Sequence, residues 1–93
     1  MYQTFALAQG MVLATKRMEG TENSAFPKHT ASHESALVVL EGTLTIAFDQ
    51  VTHTMTAGDT FVVPANNVHQ VTAAPEFKAI HIMPKDIRFN FKA

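Results

Sequence analysis

Cysteine is absent from this chain. That excludes disulfide staples, thiolate metal sites and cysteine nucleophiles, and a soluble cytoplasmic protein is the expectation. An excess of one charge is missing as well: seven basic side chains face eight acidic ones, for a net charge of −1. With no basic block, the electrostatic footprint of nucleic-acid binding is lacking. No long apolar run is present either. Residues 5–14 are interrupted by Gln9 and Gly10 and carry no basic leader. The run is too short to span a bilayer and lacks the layout of a signal peptide. Neither a membrane nor a nucleic acid is therefore expected as a partner. There is no internal repeat, no low-complexity tract and no glycine-rich phosphate loop before a helix. Ser24, Ser32 and Ser35 have no nucleophile-elbow context.

What the chain does have is short apolar or alternating runs cut by turn residues. Its 93 residues, 46% hydrophobic and 16% charged, suit one domain over 1–93 with a modest core. Strands are expected at residues 11–18, 35–40, 43–48, 51–56, 60–63, 69–73 and 77–83. Between them lie a loop over 21–28, breaks at Glu41-Gly42 and Ala57-Gly58-Asp59, and a turn over Pro64 to Asn67. Residues 1–10 allow a short helix or an extra edge strand. Strand after strand at roughly ten-residue spacing indicates an all-β, antiparallel barrel or sandwich with little helix. Leu44, Ile46 and Phe61 are candidates for its interior. Glu41 and Asp59 sit at turns, where solvated or backbone-bonded roles are expected. A short chain whose strands carry apolar side chains on both faces exposes sheet edges, so a homodimer is expected.

Two segments carry a family pattern. The first runs from His29 through His33, Glu34 and Ser35 to Leu40-Glu41-Gly42, the second from Gly58-Asp59 through Pro64 and Asn66 to His69. Together they resemble the paired motifs of the cupin superfamily, small jelly-roll β-barrels. The second motif of that family runs glycine, five residues, proline, any residue, glycine, two residues, histidine. Gly58, Pro64 and His69 match it, and Asn66 replaces the later glycine. Asparagine tolerates a left-handed backbone better than most residues. The resemblance covers residues 11–84.

The resemblance implies a barrel whose mouth binds a small ligand, often through a divalent metal. Metal-binding cupins place two histidines two residues apart in the first motif, then a glutamate four further on. His29 takes the first position, while Ala31 and Ser35 stand where the second histidine and the glutamate would be. If residues 29–35 are regularly extended, His29 and His33 share a face and Glu34 points away. His69 would complete three imidazoles, a set that suits zinc, nickel, manganese or iron with water. The candidate metal ligands are thus His29, His33 and His69. His53 is read as a surface or barrel-wall residue, and His81 as a buried imidazole with a hydrogen-bond partner. Two readings stay open. One is a histidine-lined pocket binding a small ligand, by way of a divalent metal. The other is a metal-free binding, sensing or structural dimeric module without catalysis. No catalytic residue is assigned.

Overall fold

The computed structural model describes residues 1–92 and contains eight strands and no helix. These are β1 (Tyr2–Gln9), β2 (Leu13–Gly20), β3 (His29–Ala31), β4 (Ser35–Ala47), β5 (Thr52–Thr56), β6 (Thr60–Val63), β7 (Gln70–Pro84) and β8 (Phe89–Phe91). All pairings are antiparallel. The main sheet has the order β1-β2-β7-β4-β5, and β6 joins β4 on the flank opposite β7. A second, two-stranded sheet pairs β3 with β8. A single bridge, His29 to His69, ties the two together, and a second, Ala25 to Thr72, ties the loop before β3 to β7.

The long strands obey the two-residue period that buries one face of a sheet. On β7, Val71, Ala73, Phe77, Ala79, His81 and Met83 point inward and are buried. On β4 the inward set is Ser35, Leu37 and Val39, then Leu44 and Ile46. The switch from odd to even positions comes from a bulge: Val39 pairs with Ala79 and Glu41 with Lys78, which leaves Leu40 as the extra residue. Leu37, Val39, Leu44 and Ile46 are the most deeply buried large side chains, and each contributes roughly 1.5–3 kcal/mol. Met18, Phe26, Met55 and Val63 close the core, with Phe48 and Phe61 packed on its rim.

Residues 1–10 take the second of the two forms open to them: β1 is an edge strand on β2, with every residue exposed. Several strand boundaries need correcting. The strand expected at 11–18 begins at Leu13, because Met11 and Val12 sit in the turn from β1. Glu41-Gly42 does not end a strand. The bulge absorbs it, and β4 runs on for 13 residues. Gly42 is held at φ 75°, where a Cβ would collide with the Glu76 carbonyl oxygen, so the close approach of β4 to β7 requires glycine. The segments 69–73 and 77–83 are one continuous β7. Asn66 has φ 63°, the left-handed conformation for which asparagine is suited. Asp59 closes its turn by accepting a hydrogen bond from Thr56 N at 2.8 Å.

Candidate functional site

His29 and His69 are brought together by backbone pairing. Each amide donates to the carbonyl of the other at 3.0 Å, which places the two side chains side by side. Their ring centroids lie 4.4 Å apart. His69 Nδ1 bonds the Asn67 carbonyl at 2.8 Å, and His29 Nδ1 bonds the Pro27 carbonyl at 3.0 Å. A carbonyl only accepts, so each Nδ1 carries a proton, and neither Nε2 has a partner among the described residues. His69 and Val71 are buried while Gln70 is half-buried, which puts His69 on the inward face.

His33 is not part of this pair. The extended run ends at Ala31, and Ser32 and His33 form a bend. The period-two count therefore fails between residues 31 and 35, and His33 is exposed, bonded to Ser32 Oγ at 2.7 Å. Arg88 is the reason: its carbonyl takes the Ser32 amide and its own amide donates to Ser32 Oγ, which turns the chain at that point. Glu34 is exposed, as expected. His53 is exposed on β5, its ring 4.9 Å from Phe61 and 6.1 Å from Phe48.

Three side chains that the family pattern did not single out, Lys16, His81 and Phe89, complete the cluster. Lys16 on β2 is the cross-strand partner of His81 on β7, so both share the inward face. Phe89, on β8, spans them: its ring lies 5.5 Å from His29, 6.2 Å from His81 and 4.7 Å from Lys16 Nζ. His81 Nε2 shares a hydrogen bond of 2.7 Å with Ser35 Oγ, so the serine at the glutamate position holds a neighbouring imidazole. His81 Nδ1 is buried without a partner among the described residues. Lys16 was legible as the inward residue between Ala14 and Met18 in an alternating strand. Residues 85–91 carried no comparable signal.

The electrostatics follow from burial. Desolvation pushes the His81 pKa down to about 4, and positive charge on Lys16, His29 and His69 acts in the same direction. The His69 pKa is also lowered, chiefly by burial and further by His29, against the opposing pull of the Asn67 carbonyl. Burial lowers the Lys16 pKa too. Beside His69, between the β4–β5 hairpin and the turn before β7, lies an open hollow of about 730 Å³. Its walls include Lys28, Phe48, Asn66, Asn67, His69 and Gln70. A divalent metal is ordinarily held by three or four protein donors. Among the described residues no three His, Asp or Glu side chains converge in that way. With Ala31 and Ser35 supplying no ligand and His33 turned outward, the donor set does not fit a resident metal.

A family model for the cupin domain matches residues 16–83. Three solved structures share the fold. A cupin superfamily protein from Desulfitobacterium hafniense superposes with a TM-score of 0.83 at 21% identity, over 92% of this chain and 79% of the other. A cupin-2 domain containing protein from Shewanella frigidimarina gives 0.80 at 27% identity, over 89% and 80%. Salicylate 1,2-dioxygenase from Pseudoaminobacter salicylatoxidans, described with gentisate, gives 0.88 at 13% identity over 99% of this chain but only 29% of its own. No curated protein matches by sequence. The matched segment includes both motifs and the strands that seat His29, His69 and His81, and the chain belongs to the cupin family.

Proposed function

We propose that this cupin is a small-molecule binding module, taking its ligand at the barrel mouth against His29 and His69 without a resident metal. The observation that carries this reading is the pair of imidazoles 4.4 Å apart, both tied through Nδ1 to backbone carbonyls. Rings held in fixed orientation at the edge of an open hollow, which His69 lines, suit a small-molecule site. The role is binding, sensing or scaffolding rather than turnover. Association of two copies through β1 belongs to the same reading: Tyr2, Phe5 and Leu7 are exposed on an edge strand, and such an edge invites pairing.

The second reading keeps a divalent metal on His29, His33 and His69. Nδ1–H bonds to backbone carbonyls are also how metal-ligating histidines are oriented, but His33 would have to leave Ser32. Metal content of protein purified without an affinity tag separates the two. We expect far less than one equivalent of zinc, nickel, manganese or iron, unchanged in His33→Ala. About one metal per chain, lost in His69→Ala, would overturn the metal-free reading.

A further inference from the structure

Lys16 is the unusual group in the barrel. It is a half-buried amine on the inward face, with neither an ion pair nor a side-chain hydrogen bond among the described residues. The one ion pair there, Arg17 to Glu19, lies on the opposite face of β2. Its partner across the strand, His81, is more than nine-tenths buried and leaves Nδ1 without a partner. In the tautomer in which the Ser35 hydroxyl donates to Nε2, Nδ1 keeps the ring proton and is an unused donor. A fixed cation and a free N–H therefore sit on adjacent strands with no acidic side chain between them. What covers them is the Phe89 ring, carried by the three-residue β8. A cation over a phenyl face is held more weakly than one in a charge-assisted hydrogen bond. An acceptor of opposite charge would take Lys16 from Phe89.

We propose that the ligand is a small organic carboxylate, its oxygens held by Lys16 Nζ and His81 Nδ1 and its apolar body against the Phe89 ring. This rests on the small-molecule reading above, names the ligand class, and seats the carboxylate on the Lys16 and His81 side of the cluster, one ring beyond His29, rather than in the hollow beside His69. One ammonium balances one carboxylate, and His81, neutral in its buried setting, adds a hydrogen bond rather than a second charge. That charge count favours a monocarboxylate over a phosphate dianion.

The experiment compares phenylacetate with its uncharged isostere phenylacetamide by two-dimensional NMR titration of the intact chain, following the imidazole and Lys16 resonances. Wild type should bind phenylacetate about ten-fold or more tightly over the amide. Lys16→Met should bring that ratio close to one, because the acid loses far more affinity than the amide. Lys16→Arg, which keeps the charge, should restore most of the preference, and dispersed spectra of both variants establish that they fold. If both compounds shift His29 and His69 with equal affinity in the wild type, the carboxylate assignment is wrong and the binding-module reading stands. If neither compound perturbs the imidazoles, both are wrong. Tighter binding of inorganic phosphate than of phenylacetate would overturn the carboxylate assignment in favour of a phosphate site.

Discussion

Acidification should unfold this protein through His81, and the size of the effect follows from its burial. The imidazole is 8% exposed and its pKa is pushed down to about 4, against an ordinary value of about 6.5. Between those values the unfolded chain takes up a proton that the folded chain refuses. Stability is therefore complete above pH 6.5 and is lost as pH falls through that window toward 4. Linkage over this interval gives a loss of about 2.5 kcal/mol between pH 7.5 and pH 4.5. His69, displaced in the same direction by burial, adds to it. With a urea slope of roughly 1–1.5 kcal/mol per molar for a chain of this size, the midpoint should drop by about 2 M. Urea titrations at the two pH values measure this directly. His81→Gln removes the titrating group, so its midpoint should depend on pH much less, whatever the variant loses in absolute stability with the Ser35 bond. A wild-type midpoint that stays level down to pH 4.5, or a His81→Gln profile as steep as the wild type's, would refute the argument.

Gly42→Ala should destabilise the fold by about 3 kcal/mol in urea melts, from an unfavourable φ plus an overpacked contact with the Glu76 backbone. Gly58→Ala shares the positive φ but meets nothing within 4 Å, and about 1–2 kcal/mol is expected; equal losses would discredit the role of the Glu76 approach. Leu7→Glu on β1 should shift sedimentation equilibrium toward monomer at micromolar concentration, and a wild type that is monomeric there would remove the reason for the substitution.

The strands were legible because burial on one face writes a period of two into the residues, as Leu37, Val39, Leu44 and Ile46 show. What the alternation did not reveal was continuity. Glu41-Gly42 has the composition of a turn, and only the opposing β7 shows that the chain passes straight through. The inward face of His69 was legible because Pro64 and Asn66 fix the turn that launches its strand, and the side chain is buried there. His33 was misplaced because the period-two count assumed an unbroken strand, and the Arg88 backbone bends the chain at Ser32, 56 residues away in sequence. β8 eluded the reading for a related reason: three residues hold too little pattern to register, and pairing with β3 gives them their shape.

The bulge at Leu40 works as a change of reading frame along β4. Upstream of it, odd positions are written into the core; downstream, even ones are. Deleting Leu40 would leave the core intact: Glu41 would stay opposite Lys78, and Leu44 and Ile46 would still face inward. Straightening the bulge while keeping the residue would slip the strand by one, turn Leu44 and Ile46 to the outside and bring Thr43 and Thr45 in, inverting the half of the strand that β5 and β7 hold between them. The exposed Leu40 therefore matters less for what its side chain does than for being left out of the count.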